Sequence, residues 1–208
     1  MKKLSAVLAA FAAFAIVVSP SFADTLTLVK ASDQVVDNAA VYPYSFSING
    51  SNALTSLMCV DYNRHVTIGE SWNVTIAPLA LDNSTLSTAY RATAYIFSQL
   101  GTSSTSDVQF AAWDIFDDAE VNSLSGFDAN AKQLVVAGQA AAQNSALIAS
   151  GFFNNFNLYL PTSDTTGWSD GKPQDFVGVA QTPEPSSIVL LGSGLAGLAG
   201  AIRRKLAR

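Results

Sequence analysis

The sequence predicts an α+β domain, an antiparallel β-rich body with a helical segment in its middle, set between two apolar terminal segments. Three observations predict it. Apolar residues fall at every second position as far as Pro78, at every third or fourth from Ser84 to Gly151, and at every second again from Phe156. The two ends are apolar without either period. They also hold six of the eleven basic residues, Lys2, Lys3, Arg203, Arg204, Lys205 and Arg208.

At the N-terminus, Lys2 and Lys3 precede an apolar run from Leu4 to Val18. Pro20 breaks any helix, and Ser21-Phe22-Ala23 offers the small-x-small pattern that signal peptidase accepts. A run of about 15 residues is too short to span a bilayer comfortably. Residues 1–23 are therefore expected to be a signal peptide, with the globular domain occupying 24–181, near the usual size of one domain.

Within that domain Leu26 and Leu28 alternate with threonine, and Tyr42, Tyr44, Phe46 and Ile48 share one face at period two. Asn49-Gly50 is a turn signal. Leu54 to Tyr62 continues the alternation, and Val66 to Ile76 reads as one or two strands with a turn near Gly69-Glu70. Ser84 is placed to cap a helix carrying Leu86, Ala89, Tyr90, Thr93, Phe97 and Leu100, with Gly101 as its stop. Ser106 or Asp107 opens a second helix, with Val108, Ala111, Ala112, Ile115 and Phe116 on one side. Asp128 caps a third, alanine-rich helix running to Gly151. Phe156, Leu158 and Leu160 alternate again, Thr162 to Gln174 reads as a surface loop, and Phe176 to Ala180 as a last short strand.

The domain keeps five basic residues against fifteen acidic ones, a formal charge of −10. That sign excludes nucleic acid and anionic lipid surfaces as partners. Cys59 is the only cysteine and His65 the only histidine. An internal disulfide is impossible, a Cys/His zinc site is excluded in practice, and no Gly-x-Ser-x-Gly elbow marks a serine nucleophile. No metal or cofactor is expected.

At the C-terminus, Thr182-Pro183-Glu184-Pro185 leads into an uncharged stretch, 186–202, and then Arg203-Arg204-Lys205-Leu206-Ala207-Arg208. The prolines cannot continue a helix and hold the entering chain extended. The uncharged stretch is expected to form a transmembrane helix of about 26 Å, and the arginine cluster fixes its end in the cytoplasm. Pro183-Glu184-Pro185, a short apolar helix holding Gly192, Gly194, Gly197 and Gly200, and the Arg203-Arg204 cluster resemble the PEP-CTERM sorting signal, part for part over 182–208. The resemblance implies recognition by an exosortase, a membrane-embedded cysteine transpeptidase. It further implies processing near Pro183 and delivery to the surface or exopolysaccharide matrix of a Gram-negative bacterium.

Two segments inside the domain carry chemistry, Leu57-Met58-Cys59-Val60-Asp61 and Val108-Gln109-Phe110-Ala111-Ala112-Trp113. The first sets the lone cysteine in an apolar strand. The second sets a glutamine among apolar neighbours, four residues before a tryptophan on the same helical face. Together they resemble the thioester domains of bacterial surface adhesins, with Ala112 where those domains usually carry isoleucine. The resemblance implies an internal bond between Cys59 and Gln109 that an outside amine or hydroxyl could capture. His65, six residues on from Cys59, is a candidate for proton transfer.

Other readings rest on less specific residues. Asp61, Glu70 and Asp114 could serve a polysaccharide hydrolase, and Trp72, Trp113 or Trp168 a carbohydrate-binding platform. Asp114, Asp117, Asp118 and Glu120 cluster without the spacing of an EF-hand. Asn49, Asn73 and Asn83 begin Asn-x-Ser/Thr sequons that chance alone readily supplies. The leading expectation is a non-enzymatic, exported surface or matrix protein, with attachment through Cys59 and Gln109.

Overall fold

The computed structural model describes residues 23–81, 84–162, 173–180, 192–195, 197–199 and 202–203. Six strands close an antiparallel barrel: β1 (Asp24–Lys30), β4 (Tyr44–Ile48), β5 (Leu54–Cys59), β8 (Phe176–Val179), β7 (Phe156–Pro161) and β6 (Ser71–Pro78), with β6 returning to β1. A two-stranded hairpin, β2 (Val35–Val36) and β3 (Ala39–Ala40), lies in the β1–β4 connection. Among the described residues, four helices and a 3-10 turn fall between β6 and β7. They are α1 (Thr85–Phe97), α2 (Thr105–Val121), α3 (Ala129–Ala142) and α4 (Ser145–Ala149), followed by a 3-10 turn over Phe152–Asn155. The α+β class read from the sequence stands.

Alternation explains the strands. Leu26, Leu28, Phe46, Trp72 and Val74 turn inward and are buried, while their neighbours in sequence are mostly partly exposed or exposed. A barrel of six strands is too narrow to be hollow, and aromatic rings fill this one. Phe176 lies 4.7 Å from Phe46 edge-on and 6.2 Å from Trp72, and Phe46 meets Trp72 at 5.9 Å. Asn49 and Gly50 both take positive φ, 53° and 73°, which is the backbone that an Asn-Gly turn after a strand favours.

Differences from the sequence reading have local causes. Residues 66–70 are not strand: Glu70 N–H bonds back to Thr67 O and Gly69 sits at φ 93°, so the chain turns before β6 begins. The second helix starts from Ser104, whose side chain accepts from Asp107 N–H at 3.1 Å. Asp107 therefore lies in the first turn, where its charge suits the helix dipole, and does not itself cap the helix. The alanine-rich helix ends at Ala142, because Asn144 accepts from Ala146 and Leu147 N–H and starts α4 afresh. Ser84 and Asp128 cap α1 and α3 as expected.

The expected signal peptide lies outside the described residues, apart from Ala23. So does most of the expected membrane helix over 186–202, of which 192–195, 197–199 and 202 are described as helical. Among the described residues, no helix is long and apolar enough to cross a membrane.

Arg91 joins the helices to the barrel. It is 1 % exposed, and its guanidinium donates to Ala142 O at the end of α3 (3.0 Å), Ala80 O beyond β6 (2.9 Å) and Thr88 Oγ1 (3.3 Å). A cation at a helix C-terminus meets the negative end of the dipole, and the carbonyls replace the water it loses. Arg91→Leu should strand those carbonyls and lower stability by about 3 kcal/mol. Urea unfolding of the isolated domain measures it, and a change below about 1 kcal/mol would contradict this role.

Candidate functional site

Cys59 ends β5, where its backbone pairs with Phe176 of β8. Val60 continues the pairing through its N–H to Asp175 O. The helix α2 lies against β5 and is buried along Val108 to Trp113. This arrangement brings the two segments singled out in the sequence face to face. Gln109 Nε2 donates to the backbone oxygen of Cys59 at 2.7 Å, and Trp113 Nε1 donates to Cys59 Sγ at 3.4 Å. The thiol in turn donates to Asp61 O at 3.1 Å. Cys59 and Gln109 are both 0 % exposed.

The amide of Gln109 is held by its nitrogen alone. Its Oε1 is buried and accepts no hydrogen bond among the described residues, at a cost of about 1–3 kcal/mol relative to a satisfied oxygen. Leucine or methionine would fill such a position without that cost. The sulfur is equally dry: burial pushes the Cys59 thiol up to about 12, against the opposing bonds from Trp113 and Asp61. Tyr44, whose hydroxyl donates to Ala40 O, is also raised by burial and by its proximity to Cys59.

A cavity of about 480 Å³ adjoins this contact, lined by Tyr44, Tyr62, His65, Trp113 and Gln174 among others. His65 is exposed and reaches this cavity, which is the extent of its link to Cys59. A second cavity of about 450 Å³ is lined by Asp61, Asn63, Arg64, Tyr90, Asp117 and Asp175 among others. Here Asp61 Oδ2 meets Arg64 Nε at 2.7 Å, and Tyr90 donates to Asp175 Oδ2 at 2.7 Å. Periodicity did not reveal this group, because Asp117 sits where α2 departs from helical geometry (φ −130°, ψ 45°) and Asp175 sits outside any strand.

The remaining sequence candidates fare differently. Trp72 and Trp113 are 5 % and 2 % exposed and cannot form a sugar platform, while Trp168 lies outside the described residues. Glu70 accepts from Thr67 N–H in its own turn, and neither Glu70 nor Asp114 lines the cavity that holds Asp61. Asp117 is committed to Tyr62 N–H and Asn63 Nδ2, and among the described residues no group of three ligating side chains could hold a metal ion. Pro183, Glu184, Pro185 and Arg204 lie outside the described residues, and Arg203 is helical and exposed.

The carboxyl of Asp61 is pushed up to about 6, first by burial, then by Asp117, with Asp175 adding and Arg64 opposing. The folded state therefore takes up a proton that the unfolded chain, with its carboxyl near 3.8, does not. Stability from this group is fully present below about pH 4 and is lost as the pH rises through about 6. Urea unfolding should show the domain gaining about 1 kcal/mol between pH 7 and pH 5, after allowing for Asp61's partial exposure, and Asp61→Asn should abolish that gain. A flat or opposite dependence in the wild type would refute the assignment.

Comparison with curated proteins and with solved structures gives no match for the chain. A family model described as the PEP-CTERM protein-sorting motif matches residues 181–205. That range holds Pro183, Glu184, Pro185, Arg203 and Arg204. The chain thus carries a PEP-CTERM sorting signal, which supports an exported protein processed at the membrane by an exosortase.

Proposed function

We propose that the protein is a non-enzymatic component of the cell surface or exopolysaccharide matrix of a Gram-negative bacterium. On this reading it is held in the membrane by its tail until an exosortase processes it, and it couples itself to a neighbour through an internal Cys59–Gln109 thioester. The observation that carries the reading is the fully buried contact of Gln109 Nε2 with Cys59 O beneath Trp113 Nε1 and the cysteine sulfur. The half-satisfied Gln109 amide beside the single thiol supports the reading.

The chemistry balances without a co-reactant. The Cys59 sulfur attacks Gln109 Cδ, an S–C bond forms, and the C–N bond breaks. The thiol proton leaves with the nitrogen as ammonia. Capture reverses the roles: an incoming amine or hydroxyl attacks Cδ, the C–S bond breaks, and the proton of the nucleophile returns to the sulfur. Trp113 N–H steadies the sulfur as negative charge gathers on it. The nucleophile stays attached to Gln109, so each molecule reacts once.

Intact-mass measurement of the purified domain tests this directly. Loss of one ammonia is expected, absent in Cys59→Ala and replaced by a methylamine adduct after treatment with that amine. An unmodified mass with a thiol that alkylates on unfolding would refute the thioester. For sorting, deletion of 183–208 should leave the protein periplasmic or released. Unchanged retention at the surface, assayed by cell fractionation, would overturn that part.

A further inference from the structure

A bond that is to be captured from outside must at some point be reached, yet Cys59 is wholly covered. Most of the cover is fixed architecture. Strand β8 lies alongside through Phe176, α2 supplies Gln109 and Trp113, and Val60 is pinned to Asp175 by the last ladder bond. Another side is covered by residues 61–65, which belong to no strand or helix. Asp61 O accepts from the thiol itself, and the Tyr62 ring leans on Trp113 at 5.2 Å.

This segment borders empty space on more than one face. Tyr62 and His65 wall the cavity of about 480 Å³, while Asp61, Asn63 and Arg64 wall that of about 450 Å³. Side chains from other elements tie it down. Asp117 Oδ2 accepts from Tyr62 N–H at 2.7 Å and Asp117 Oδ1 from Asn63 Nδ2 at 2.8 Å, while Gln174 Nε2 donates to Asp61 O at 3.3 Å and to Arg64 O. Asp117 accepts two of these four bonds, at the one residue where α2 leaves helical geometry.

We propose that residues 61–65 are a strap over the Cys59 sulfur, latched by Asp117, and that unlatching admits a reagent to the site without unfolding the barrel. Moving the strap breaks charge-assisted bonds and the Tyr62–Trp113 ring contact, but it opens into existing cavities and leaves the barrel ladder intact. Access itself does not depend on the thioester. The thioester reading decides only which group the reagent meets.

The test treats the folded domain in parallel with methylamine and with iodoacetamide and follows each adduct by mass. A thioester takes methylamine and a free Cys59 takes iodoacetamide, so failure of the thioester reading changes the label that appears and leaves the rate measurement intact. Asp117→Ala should speed labelling about tenfold or more, the factor for one charged hydrogen bond. Asn63→Ala, which removes one strap bond at an exposed side chain, should speed it severalfold, and Asp114→Ala on the same helix should leave it unchanged. Labelling that rises little with urea well below the unfolding transition supports local opening. Wild-type rates in both Asp117→Ala and Asn63→Ala, or labelling that follows global unfolding at every urea concentration, would overturn the strap.

Discussion

The pairing of Cys59 with Phe176 is the register on which the domain depends. Phe176 also pairs with Tyr159 on its other side, so a single residue joins β5 to β7 and completes the barrel. Its ring reaches Tyr44 at 5.9 Å, Phe46 at 4.7 Å and Trp72 at 6.2 Å, which makes it the centre of the interior. A slip of one residue would turn every side chain of β8 to the opposite face. Cys59 itself stays in place through β4 on its other side and α2 above it, so this register closes the sheet and fills the core around a site already set by β5 and α2.

Two buried polar side chains show what the fold does with charge and hydrogen bonding. Arg91 is surrounded by carbonyl and hydroxyl oxygens, as a side chain whose purpose is to join elements should be. Gln109 has its nitrogen engaged and its oxygen bare. Both positions are equally dry, so solvent cannot explain the contrast. A protein that satisfies a buried guanidinium with such care leaves the glutamine oxygen wanting beside its only thiol.

Local rules made much of this legible. Period two located Leu26, Leu28 and Phe46 as interior residues, and Ser84 and Asp128 were recognisable caps because their side chains bond the next free N–H groups. The Cys59–Gln109–Trp113 grouping was visible as two segments, since i and i+4 on α2 share a face. Closure was not visible, because strand order is set by long-range pairing that no window of sequence contains. The burial of Arg91 was hidden for a related reason. Helix α1 packs against both α3 and β8, so its buried face is wider than one apolar stripe, while Leu86 on the expected stripe is 59 % exposed. Asp117 was legible only as part of an acidic cluster, and Asp175 escaped notice, because their partners lie 54–55 and 85 residues away in the chain.

The position of β8 at the far end of the folded body has a consequence for the order of assembly. As the chain emerges N-terminus first, β1, β4, β5, β6 and β7 are all available before Phe176–Val179 arrive. Until then the neighbours β5 and β7 each present a row of unpaired amide and carbonyl groups, the condition under which nascent sheets stick to one another. The last strand is also the one next to the sorting segment. The sheet thus loses its exposed margins only when almost the entire body has been delivered.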